Sequence, residues 1–244
     1  MEIDQARTID SILGGTLTIV QPAHGYRFAL DSILLARFAR PASNARVLEL
    51  GAGCGVVSIM LAMLHHPEQI SAVELQPHLT AMITDNAALN GIAIIKAICA
   101  DLRQNIGGLA PASFDYVLAN PPYRVPGRGR QSPNLERRAA RSGMDTTLTD
   151  FIVAAARYSR YGGRVAMVLT ASRTAELVEE MKQRMLEPKR IRFVHSRPDE
   201  PASLALLEAR KGGGLETIIE PPLFIYASDS EYTDEARGML SGRE

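Results

Sequence analysis

Along the chain, short runs of consecutive apolar residues alternate with longer segments whose apolar positions recur at helical spacing. RVLEL (46–50), ISAVEL (70–75), IKAICAD (95–101), FDYVLAN (114–120) and RVAMVLT (164–170) have the length and composition of strands buried on both faces. Between them lie helical patterns. ALDSILLARFA (29–39) is stopped by Pro41. VVSIMLAMLHH (56–66) is closed by Pro67. HLTAMITDNAALNG (78–91) is entered at Pro77. Further helices are expected over 147–160 and over the charged run 176–186. IRFVHS (191–196) and TIIEPPLFIYA (217–227) are expected to complete the sheet as an antiparallel pair at one end, joined by the long connection 197–216. Gly14, Gly15, Pro22 and Gly25 surround the β-prone TLTIV, so residues 1–28 read as a hairpin or lead-in extension. Residues 29–232 form the main domain, and an acidic tail follows at 233–244.

This order predicts an α/β fold: a mostly parallel sheet of seven strands covered by helices, with one antiparallel end strand and right-handed crossovers. Ligands on such a sheet sit beyond the carboxyl ends of the strands. The rule puts Gly51–Gly55, Glu74, Asp101 and Asn120–Tyr123 on one rim.

Composition narrows the chemistry. At 244 residues, with 46% hydrophobic and 22% charged, the chain is long and apolar enough for a full core, which excludes global disorder. The two cysteines, Cys54 and Cys99, form no CxxC, and the five histidines form no spaced metal set. No metal is expected. The N-terminus carries no signal-peptide pattern and no stretch suits a membrane span, so a cytoplasmic protein is expected. Net charge is zero but unevenly spread. Residues 1–115 hold 7 basic and 10 acidic groups, 116–197 hold 16 and 7, and 198–244 hold 4 and 10. The middle third can therefore present a positive face to a polyanion, although locally paired surface groups would give the same count.

The stretch Glu49-Leu50-Gly51-Ala52-Gly53-Cys54-Gly55 closes one strand and opens a helix. Its glycines permit a tight turn and close backbone approach to a ligand. Val56 stands where a dinucleotide fingerprint wants another glycine, and no Lys or Ser/Thr follows as in a P-loop. Glu74, 23 residues after Gly51, can accept hydrogen bonds from both ribose hydroxyls of a nucleoside, with Leu75 beside it. Asp101 can accept from an adenine amino group, and Leu102 can cover a ring face. Together these fit S-adenosyl-L-methionine, with Glu49 orienting the glycine turn or approaching the ammonium.

The fourth strand ends Asn120-Pro121-Pro122-Tyr123. With the glycine turn, this motif resembles the class I, Rossmann-like methyltransferases that modify exocyclic or amide nitrogens. Within them the chain resembles the bacterial tRNA1(Val) adenine-37 N6-methyltransferases. The likeness also takes in Gly25–Leu35 and the late stretch 201–213. It implies that Asn120 and Pro121 offer oxygens to the target amine while Tyr123 stacks on the base. It also places Phe28 and Asp31 near the cofactor. Arg124, Arg128, Arg130, Arg137, Arg138 and Arg141, with Arg210 and Lys211, become candidates for holding tRNA phosphates. Two alternatives remain open: a protein N5-glutamine methyltransferase using the same motif, and a non-catalytic RNA-binding module with this fold.

Overall fold

The computed structural model describes residues 7–23, 28–122, 146–228 and 231–241. The apolar runs form the expected parallel strands: β3 (Arg46–Leu50), β4 (Gln69–Glu74), β5 (Ile95–Cys99), β6 (Phe114–Ala119) and β7 (Ser159–Thr170). In space they run β7-β6-β3-β4-β5. Alternate residues of each strand face opposite sides. Val47, Tyr116, Leu118, Ala166 and Val168 pack into one core, and Leu48, Leu50, Val117, Ala119, Val165, Met167 and Leu169 into the other. The first core is shared with α1 (Leu30–Phe38) and α2 (Val56–His65). The second is closed by α4 (Leu148–Tyr158) and α5 (Thr174–Lys182). Helix α3 (Pro77–Leu89) carries Pro at its first turn, where the missing N–H costs nothing. Helix α4 starts on a capping box between Thr147 and Asp150.

The fold class is as expected, but the antiparallel strand is a different segment. It is β9 (Ala202–Lys211), inserted between β7 and β8 (Leu186–His195) and antiparallel to both. This segment lies within the connection expected over 197–216, and SLALLEAR has the composition of a helix. Two hydrogen-bonded neighbours and burial of Ala205–Ala209 override that propensity. The segment 217–227 contributes only β10 (Ile218–Ile219) and β11 (Leu223–Phe224), both parallel to β8.

Two peripheral pieces are tied down. Strands β1 (Arg7–Ile12) and β2 (Leu17–Pro22) form a hairpin. Its β2 backbone is met by two amides one turn apart, Asn86 in the last turn of α3 and Asn90 at its C-cap. Asn86 accepts from Val20 N at 2.8 Å and donates to Val20 O at 2.8 Å, and Asn90 does the same for Thr18 at 3.1 and 2.7 Å. These side chains act as a neighbouring strand would. In the acidic tail, Asp234–Ser241 forms α6, burying Ala236, and Met239 O accepts from Arg37 Nε.

Candidate active site

The glycine turn is built from the end of β3. Gly51 N and Ala52 N both donate to Val73 O at 2.9 Å, bending the chain across the end of β4. Gly51 sits at φ +70°, and a Cβ there would lie 2.9 Å from Phe151 Cε1. Gly55 sits at φ +90° against Ile83 and starts α2. Both positions therefore require glycine. Gly53 N donates to Glu74 Oε2 at 2.9 Å, so the turn and the end of β4 hold each other. Glu74 Oε1 accepts from Gln76 N at 3.0 Å. Burial raises the Glu74 pKa, opposed by those N–H donors.

Glu49 lies under the turn. It points to the α2 side of the sheet, where Ser58 donates to Oε2 through both its backbone N, at 2.9 Å, and its hydroxyl. Burial lifts its pKa from 4.5 to about 7, with the Ser58 bonds opposing and Glu74 adding slightly. Cys54 is buried, and its thiol is pushed up to about 12, so it stays protonated and is no nucleophile.

A cavity of about 390 Å³ opens on this rim. It lies in the range of small-molecule sites, about 300–1,000 Å³. Of the residues singled out in the sequence, Asp31, Gly51, Glu74, Leu75, Asp101, Leu102, Asn120 and Pro121 border it. Phe28 and Glu49 line a smaller adjoining pocket, whose wall with the first is Gly51 and Asn120. Gly53 and Gly55 shape the turn without bordering either space. The register explains the meeting: Leu50 pairs with Ala119, so the residues that follow, Gly51 and Asn120, leave the sheet side by side.

Several partners were not visible in the sequence. Ser32 Oγ accepts from Asn120 Nδ2 at 3.2 Å, and Ser32 N donates to Asp31 Oδ1 at 2.7 Å. This chain from α1 sets the Asn120 amide. Arg103 grips Asp101 with Nε at 2.9 Å from Oδ1 and Nη2 at 2.6 Å from Oδ2, lowering the carboxyl pKa. Phe151 and Gln76 also border the cavity. Only the Asp–Arg spacing of two residues could have flagged one of these.

The remaining basic residues separate into three groups. Tyr123 and Arg124–Arg141 lie outside the described residues. Arg210 and Lys211 do not belong to the rim: Arg210 pairs with Arg164 where β7 starts to pair with β9, at the opposite edge of the sheet. Lys211 Nζ donates to Ala156 O and Ser159 O at 2.5 and 2.9 Å. Both were expected at the RNA surface; β9 runs antiparallel to the neighbouring strands, so its last residues lie at the opposite end of the sheet from the Gly51–Asn120 rim. Between 182 and 197, Arg184, Arg190, Arg192 and Arg197 are each paired to a carboxylate, which is the local-pairing alternative.

Residues 29–190 match the family described as methyltransferase small domain. The chain belongs to that family. This methyltransferase is 28% identical over 210 residues to the tRNA1(Val) (adenine(37)-N6)-methyltransferase of Aeromonas hydrophila, covering 84% of each chain. It is 33% identical over 153 residues to a Methanocaldococcus jannaschii protein provisionally named a protein N5-glutamine methyltransferase, covering 62% of this chain and 74% of that one. In fold it is similar to a predicted O-methyltransferase from Agrobacterium tumefaciens, with TM-score 0.67 and 22% identity over 87% of this chain and 96% of that one. No described helix is long and apolar enough to cross a membrane, and no described cluster of three His, Cys, Asp or Glu can hold a metal.

The residues present fit the methyl donor of such enzymes. Gly51 borders the cavity with no side chain of its own, so a ligand can approach its backbone, and the buried Glu74 carboxylate borders the same cavity.

Proposed function

We propose that this methyltransferase uses S-adenosyl-L-methionine to methylate the N6 amine of an adenine in tRNA, at position 37 of tRNA-Val as in the relatives named above. One observation carries the reading: the Asn120–Pro121 turn and the Gly51–Glu74–Asp101 set border the same cavity. When bound, the cofactor supplies an electrophilic methyl. Glu74 would accept from ribose hydroxyls, Leu75 and Leu102 would cover the adenine, and Asp101 would take its amino group beside Arg103. Asp31 would face the methionine ammonium, with Phe28 and Glu49 closing the adjoining pocket.

On the substrate side, Asn120 Oδ1 and Pro121 O would each accept one hydrogen of the target amine. That amine is a poor nucleophile because its lone pair is delocalised into the ring. Two acceptors align it and stabilise the positive charge that grows on nitrogen. The tandem prolines stiffen this turn. Tyr123 would stack on the base and the arginines at 124–141 would hold neighbouring phosphates. The protein would work in the cytoplasm.

The test is transfer of labelled methyl into total tRNA, followed by digestion to nucleosides. N6-methyladenosine is expected, and Asn120→Ala should lower turnover by about 10²–10³ while cofactor affinity holds. Near-normal turnover in that variant would overturn the role of Asn120. The M. jannaschii relative favours a second reading, an amide substrate; label found as N5-methylglutamine in a release factor would replace the first reading with it.

A further inference from the structure

A bulge opens a second cavity at the opposite edge of the sheet. Strands β6 and β7 pair Phe114 with Ser159 and then Tyr116 with Arg164, so 160–163 loop out against Asp115 alone. Gly163 makes this possible: a Cβ there would lie 2.9 Å from Arg160 O and 3.0 Å from Phe114 O. Bulges re-aim side chains. This one directs Arg160 and Arg164 into a space of about 260 Å³, which Arg40 and Asn44 also border.

Three arginines thus border the cavity with one carboxylate, Asp115, while Arg40 Nη2 also lies 3.9 Å from Glu220 Oε1 outside the lining. The Asp115 carboxylate is already engaged: Oδ1 accepts from Arg160 Nε at 2.5 Å and Oδ2 from Arg46 N at 2.8 Å. It orients Arg160 more than it opposes an anion. Arg164 spends Nη1 on the buried Glu208. Among the described residues, Arg160 Nη2, Arg164 Nε and Nη2, and the Asn44 amide carry no hydrogen bond. Donors not used within the protein therefore come from the 160–164 bulge and from Asn44, enough for the several oxygens of a phosphoryl group. The volume falls below the range of about 300–1,000 Å³ for whole small molecules. It suits a single phosphoryl group with its ester outside.

We propose that this cavity is a phosphate-binding site. Asn120 lies five residues along the strand from Asp115, about 16 Å away at ~3.3 Å per residue. The site therefore serves binding and not the methyl-transfer step, and it stands independently of the substrate proposed above. The phosphate is carried either by the RNA backbone or by a free phosphate ester.

The probe is inorganic phosphate, titrated into the full chain by calorimetry. Saturable one-to-one binding is expected, weakened roughly tenfold or more in Arg160→Gln and in Arg40→Gln, and unchanged in Arg237→Gln on α6. The Arg40 side chain is 69% exposed and its pair with Glu220 is long, at 3.9 Å, so its removal leaves the fold intact should loss of the Arg160–Asp115 pair disturb it. Absence of saturable binding, or equal binding in the wild type and Arg40→Gln, overturns the proposal. Filter binding of tRNA separates the sources. With a backbone phosphate, Arg40→Gln weakens tRNA binding and phosphate competes with it. With a free ester, tRNA binding is unchanged and glycerol phosphate displaces inorganic phosphate.

Discussion

Replacing Glu49 by Gln should stabilise the protein, and only above mildly acidic pH. Glu49 is 3% exposed, and burial raises its pKa from 4.5 to about 7 against the pull of the Ser58 bonds. Between those two values the native state binds more protons than the unfolded chain. Stability is therefore fully present below pH 4.5 and is lost as pH rises through about 7. At about 1.4 kcal/mol per tenfold change in proton affinity, the loss is on the order of 3 kcal/mol. A glutamine keeps an oxygen for Ser58 N and Oγ and cannot ionise. Urea unfolding of both proteins at a series of pH values measures the effect, because titrating groups that do not interact with Glu49 cancel in the difference and the Glu74 contribution is small. The two should be nearly equal near pH 4.5 and diverge in favour of Glu49→Gln by about 3 kcal/mol above pH 7. A difference that stays flat across the window, or grows in favour of the wild type, would refute the reasoning.

Three further outcomes are expected. Gly51→Ala forces a side chain onto φ +70° and into Phe151, so cofactor binding should be lost with about 1–3 kcal/mol of stability, read by calorimetry and thermal unfolding. Ser32→Ala removes the hydroxyl that accepts from Asn120 Nδ2. Turnover should fall about tenfold at unchanged cofactor affinity; an unchanged kcat removes Ser32 as a positioning residue. Asn86→Ala strips Val20 N, Val20 O and Cys54 O of their partner. It should cost about 3 kcal/mol and raise hydrogen exchange in β1 and β2 before the central strands.

Local pattern determined much of this protein. The parallel strands and the helices between them were legible because burial on both faces leaves an unbroken apolar run, and prolines mark the helix ends. Gly51 and Gly55 were legible because their backbone angles exclude side chains, and Glu74, Asp101 and Asn120 because they terminate successive strands. Tertiary structure alone decided what depends on partners distant in sequence. The helix-prone 202–211 became a strand because two strands flank it, and that reversal moved Arg210 and Lys211 to the far edge. Ser32 reaches Asn120 across 88 residues, and Asn86 completes a hairpin 66 residues away. A side chain's hydrogen-bond partner is fixed by the packing of whole elements, which no window along the chain contains.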